Sequence, residues 1–160
     1  MDRGEAADLA RALMARWGLD DWRFEFDAAV RRFGHCRFEA RTISLSRHLV
    51  ALNEVEVVRD TILHEIAHAL AGPRHGHDAV WRRTAVHVGA RPDRTFGDEV
   101  ASPAAPWVGT CPGCGSRLER HRLLRRTRQL ACAACGRGRW RREYVYVWER
   151  PDRPPPVAPA

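Results

Sequence analysis

Arg59-Asp60-Thr61-Ile62-Leu63-His64-Glu65-Ile66-Ala67-His68-Ala69-Leu70 is the stretch on which the reading of this chain turns. Residues four apart lie one above the other on an α-helix, so His64 and His68 present two imidazoles on one face. Glu65 projects beside them, within reach of a metal-bound water. Two ligands and a general base at this spacing match the mechanics of a zinc metallopeptidase helix. The bland alternative is a helix with two surface histidines, and the flanking residues argue against it. Val58, Ile62, Leu63, Ile66, Ala67 and Leu70 form an apolar stripe, leaving His64, Glu65 and His68 at the edge of a core, open to a cleft. Asn53 is the expected N-cap, with Glu56 in the reciprocal capping-box position, and Gly72-Pro73 ends the helix near Ala71.

Upstream, residues 5–17 place Ala6, Leu9, Ala10, Leu13, Met14 and Trp17 at helical spacing, and Gly18 closes that helix. Trp22-Arg-Phe-Glu-Phe-Asp27 alternates aromatic and polar residues like a half-buried strand. Residues 32–38 and 41–46 read as two further short strands, which predicts a small antiparallel sheet. Cys36 falls within it and reads as a buried, inert thiol. Downstream, Asp78 is placed to cap a helix over 79–89 with Trp81, Ala85 and Val88 inward. Asp60, one turn before His64, reads as a solvated helix residue, with orientation of a ligand imidazole as its alternative role.

A catalytic zinc takes three protein ligands and keeps a fourth position for water. The third ligand has to come from beyond the helix stop, and His75 and His77 are the candidates. A second zincin pattern would need Gly at 71 and His at 74, where the chain has Ala71 and Arg74. A Glu ligand on the following helix is also missing, so a loop histidine remains. No Tyr is available nearby to stabilise an oxyanion; His48, His87 and several Arg are open possibilities for that role.

With 160 residues the chain can bury one good core or a core plus a small module. It has no apolar run of membrane-spanning length, and its first residues lack the apolar region of a signal peptide. A cytoplasmic location is therefore expected, and in that compartment paired cysteines point to metal rather than to disulfides. Cys111-x-x-Cys114 and Cys132-x-x-Cys135, with 17 residues between the pairs, have the spacing of a four-cysteine structural zinc site. Such a ribbon is too small to fold without its metal.

The net charge of +7 is unevenly placed. Residues 1–105 carry 15 Arg against 16 acids, and residues 106–160 carry 12 Arg against 4, with no Lys anywhere. Arg125, Arg126, Arg128, Arg139 and Arg141 are the candidate phosphate contacts. A long strand over 139–149 would put Trp140, Tyr144, Tyr146 and Trp148 on one face. Trp140 is the candidate stacking residue for single-stranded nucleic acid, although packing of the ribbon onto the preceding domain is the favoured reading of the aromatics. The organisation expected is a domain over 1–90, a linker over 91–108, a zinc ribbon over 109–150 and a disordered Pro-rich tail over 151–160. A monomer is expected.

The chain resembles the SprT-like metallopeptidases. The resemblance rests on Ile43-Ser-Leu-Ser46, on His64-Glu-Ile-Ala-His68, on Gly76-His77 with Trp81 four residues later, and on the C-terminal cysteine pairs. It implies an α+β fold, with a zincin-like domain carrying the His-Glu-x-x-His helix and followed by a β zinc ribbon. It implies His64, His68 and His77 as catalytic zinc ligands, with His75 as runner-up, and Glu65 as general base. It also implies two zinc ions, one catalytic and one structural, with the 41–46 strand as the edge that pairs with extended substrate. In that family the ribbon is associated with DNA binding, and the Spartan branch cleaves proteins crosslinked to DNA. The resemblance thus makes DNA-bound protein the expected substrate, with nucleoid association if the source is bacterial.

Overall fold

Thr42-Ile43-Ser44-Leu45-Ser46 is buried at every position and forms the central strand of the first sheet. Its hydroxyls are paired, as burial requires. Thr42 donates to the Ala40 carbonyl, Ser44 to the Asp27 carboxylate and Ser46 to the Ala29 carbonyl. The strand, β3, lies between β1 (Arg23–Asp27) and β2 (Gly34–Arg37). β2 pairs with it antiparallel and β1 parallel. The sheet is therefore mixed, not the antiparallel one expected, because the chain crosses from one edge of β3 to the other between β1 and β2. The same order removes 41–46 as a substrate-pairing edge, since both of its sides are already hydrogen-bonded. Among the described residues the free edges belong to β1 and β2.

The computed structural model describes residues 1–93 and 100–151 and divides into two compact units, Met1–Pro103 and Ala104–Ala160. The proline-rich tail expected at 151–160 lies, apart from Pro151, outside the described residues. In the first unit α1 (Arg3–Arg16) opens with a capping box between Asp2 and Glu5. Its small, fully buried Ala6 and Ala10 face the core shared with the longest helix, α3 (Val55–Ala71). Between β3 and α3 comes α2 (Arg47–Leu52), capped by Ser46. α4 (Ala79–Val88) then packs on α3, with Asp78 accepting from the Val80 and Trp81 amides at 2.9 and 3.0 Å.

Two details of α3 differ from the sequence reading. Asn53 does not cap it; Glu54 holds that position without a side-chain bond. Asn53 instead ends α2, donating to the Leu49 carbonyl at 2.8 Å and pairing with both backbone groups of Ala101 at 2.8 Å. A carboxamide offers a donor and an acceptor, so it can mimic a strand partner, and here that use outcompetes a cap. Leu70 is 40% exposed, while Val58, Ile62, Leu63 and Ile66 are fully buried, so the apolar stripe stops one turn early.

The second unit is built on β4 (Trp107–Thr110), between β5 (Arg117–Arg120) and β6 (Val147–Glu149), all antiparallel. The long strand expected over 139–149 is broken. Arg142–Tyr144 is a 3-10 turn, and Val145 makes only an isolated bridge to Ala131. Two short helices, α5 (Arg125–Arg128) and α6 (Ala133–Gly136), complete the unit. Among the described residues no helix is long and apolar enough to cross a membrane.

Candidate metal centre and cleft

One helical turn separates His64 from His68, and the loop before α4 returns His77 to the same point. The three Nε2 atoms form a near-equilateral triangle, with edges of 3.3 Å (His64–His68), 3.2 Å (His68–His77) and 3.1 Å (His64–His77). Three corners of a tetrahedron around zinc, with Zn–N of about 2.0–2.1 Å, lie about 3.3–3.4 Å apart, so this donor set fits a metal ion. Hydrogen bonds among these three atoms do not account for the triangle. An imidazole nitrogen is a donor or an acceptor and not both, so three that face one another cannot close a ring of bonds. His75 is elsewhere, with Nδ1 2.8 Å from the Asp78 carboxylate.

Trp81 is fully buried, and its ring lies against all three imidazoles, with centroids 4.7, 5.1 and 4.5 Å from His64, His68 and His77. Its place on the inward face of α4 was legible from periodicity. Its role as a shared platform was not, because three contacts from two elements leave no mark on local spacing.

Glu65 is only 7% exposed and borders a cleft of about 620 Å³ together with the three histidines. Arg31, Arg32, His35, Cys36 and Ser102 also line it. Burial pushes the Glu65 carboxyl up to about 8, against the opposing pull of the Arg32 guanidinium and the Cys36 amide. Arg32 is held by Asp27 at 2.8 Å. Burial, with Glu65 nearby, also pushes the Cys36 thiol up to about 12, which keeps it protonated and inert. The other sequence candidates lie away from the cleft. Asp60 accepts from the Arg91 backbone and side chain at 2.9 Å, His87 lies against Trp17 with its ring tilted by 60°, and His48 is exposed on α2.

Burial and the neighbouring imidazoles hold His64 down to about 3 and His68 to about 4. Both bind protons more weakly in the fold than in the unfolded chain, so their contribution is complete above about 6.5 and lost as pH falls. Glu65 runs the other way, because its raised value costs stability as pH climbs from about 4.5 to about 8. Metal-free protein should therefore be most stable near pH 6.5–7, with stability falling on both sides. Thermal unfolding across pH 4–9 checks this, and a flat profile from pH 4 to 6.5 would contradict the buried, neutral imidazoles.

A model of the SprT-like family matches residues 11–100, more than half of the chain, and spans the histidine triangle and Glu65. The chain belongs to the SprT-like family. No curated protein matches it. Membership associates residues 11–100 with a metallopeptidase-type domain, and the four cysteines lie beyond the matched span.

In the second unit of this SprT-like chain, Cys111, Cys114, Cys132 and Cys135 bring their four sulfurs within 4.8 Å of one another. Cys111–Cys135 and Cys114–Cys132 are 3.8 and 3.7 Å apart. A disulfide would need about 2.05 Å. A tetrahedral zinc with Zn–S of about 2.3 Å would space its sulfurs about 3.8 Å apart, so this set also fits a metal. The Cys135 amide and the Ser116 hydroxyl lower the Cys132 thiol towards the thiolate a metal requires, while the Cys114 sulfur and burial raise Cys135. Tyr146 packs on Cys111 and Cys132, with Tyr144 and Trp148 beside them, so three of the four striped aromatics are absorbed into this small core. Trp140 remains 63% exposed, its indole N–H donating to the Gln129 carbonyl at 2.8 Å. Arg125, Arg126, Arg128 and Arg139 are exposed, as is Arg141, which pairs with Glu143 at 3.5 Å.

Proposed function

We propose that this SprT-like chain is a zinc endopeptidase that works on DNA-bound or DNA-crosslinked protein. The observation that carries the peptidase reading is the Nε2 triangle of His64, His68 and His77 beside a buried carboxylate in an open cleft. Those three imidazoles would hold the catalytic zinc, and the four cysteines a structural one, giving the second unit a zinc-ribbon character. A zinc bound at the triangle supplies Lewis acidity for water and for the scissile carbonyl. The protein does the rest. Glu65 takes the proton of the attacking water and returns it to the leaving amine, and a zinc cation bound beside it would favour the ionised carboxylate that a base requires, against the burial that opposes it. Arg31, Arg32 and His35 are the cleft groups that can meet negative charge on the substrate oxygen.

The DNA link rests on the second unit, where exposed Arg side chains accompany the exposed Trp140. Guanidinium groups suit phosphate and the indole suits an unpaired base, which favours single-stranded DNA. The test is cleavage of a DNA-binding protein by the zinc-loaded chain with and without single-stranded DNA. Cleavage is expected to rise with DNA, and charge reversal at Arg125, Arg126 and Arg128 to remove the rise while sparing basal cleavage. Equal cleavage under all these conditions would leave a peptidase without a DNA link. DNA binding with no cleavage of any substrate would leave a nucleic-acid-binding protein on an inactive peptidase fold.

A further inference from the structure

The carboxylate of Glu65 lies against a strand, not free in the cleft, and the register of that strand explains how it is held. Ser46 N–H donates to the Phe33 carbonyl at 2.7 Å, and the pairing continues Gly34 with Leu45, His35 with Ser44, Cys36 with Ile43. Residues along an antiparallel pair alternate between hydrogen-bonded and non-hydrogen-bonded positions. Phe33, His35 and Arg37 therefore turn their amides towards β3. Gly34 and Cys36 turn theirs off the open edge of the sheet. The Cys36 amide meets the Glu65 carboxylate there.

Gly34 supplies the other half of the arrangement. A Cβ at this position would stand 2.6 Å from Glu65 Cγ and 2.8 Å from Cδ, well inside van der Waals contact. The backbone of Gly34 is not left-handed, so no turn requires glycine here. Glycine inside a strand commonly marks a close approach, and in this strand the approaching group is the side chain of Glu65.

We infer that Gly34 and the Cys36 amide form a slot that fixes the Glu65 carboxylate beside the histidine triangle, which makes Gly34 a positioning residue of the site. This rests on the peptidase reading for its catalytic consequence, though the slot itself can be tested without activity. A methyl group at Gly34 has no room while Glu65 occupies the slot, so it must push the carboxylate out. The three atoms nearest to that methyl all belong to the Glu65 side chain.

The experiment compares Gly34→Ala in two zinc-loaded backgrounds, wild type and Glu65→Ala. In wild type the substitution is expected to lower the Tm, keep two zinc ions per chain, and reduce kcat by about 10²-fold with KM little changed, the scale of a misplaced reacting group. In the Glu65→Ala background the slot is empty, and the same substitution should leave the Tm unchanged. An equal fall in Tm in both backgrounds would overturn the inference, because Gly34 would then matter for packing unrelated to Glu65. So would wild-type kcat in Gly34→Ala. If wild type itself cleaves nothing, the peptidase reading fails, while the Tm comparison still decides whether the slot exists.

Discussion

Glu65→Gln is expected to abolish measurable peptide cleavage while leaving the fold and both metal sites intact. General-base removal costs about 10²–10⁴-fold where a positioned side chain moves the proton, and the amide of Gln can neither take nor return one. The substitution keeps the shape that fills the Gly34 slot and removes a carboxylate whose ionisation burial already opposes. Stability of the metal-free protein should therefore rise, and by more as pH climbs from about 4.5 to about 8, the range over which the buried carboxyl costs stability. The measurement is a cleavage assay paired with zinc stoichiometry and thermal unfolding on the same preparation. If the variant cleaves as wild type does with two zinc ions bound, Glu65 is not the base and the proposed mechanism fails.

Trp81→Ala should be the most damaging single substitution outside the ligands. The side chain is fully buried, and truncating a buried Trp costs about 3–5 kcal/mol through lost transfer energy and the cavity left behind. The second effect is specific to this site. Removing the ring frees three imidazoles at once, and zinc affinity should fall by about 10–100-fold, the scale seen when groups that orient metal ligands are removed. Trp81→Phe separates the two effects. It keeps an aromatic surface and deletes an indole N–H that is buried without a protein partner, so it should retain most of the stability and most of the affinity. Competition with a zinc chelator of known affinity and thermal unfolding read the two quantities separately. Wild-type zinc affinity in Trp81→Ala would show that the ring is core filling only.

The parts of this protein that a reader of the sequence can see are those written in short-range spacing. The i, i+4 histidines share a helix face by geometry alone. Two Cys-x-x-Cys pairs announce a shared site, and the Asp78 cap stands immediately before its helix. What cannot be seen depends on partners distant in the chain. His75 and His77 are equivalent by spacing, and only the fold brings one to the triangle and sets the other on Asp78. Asn53 has a cap residue's chemistry, but Ala101, forty-eight residues later, claims its carboxamide. The order β1-β3-β2 hides behind three strands that look like a simple meander, because alternation reports which face is buried and not which strand lies next to which. Gly34 left a faint trace as a glycine within a strand, legible only once Glu65 is known to lie beneath it.

The exclusive use of arginine in the second unit has a consequence for how that surface responds to conditions. A guanidinium stays protonated far above any physiological pH, whereas lysine ammonium groups begin to titrate near 10 and shift readily when crowded. Between Ala104 and Pro151 the only imidazole is His121. The guanidinium charge there is thus constant across the range of about 4.5 to about 8 in which the first unit loses stability through Glu65. Ionic strength, acting over a screening length of about 8–10 Å, is the variable that moves it. Acidity tunes one half of this chain and salt the other.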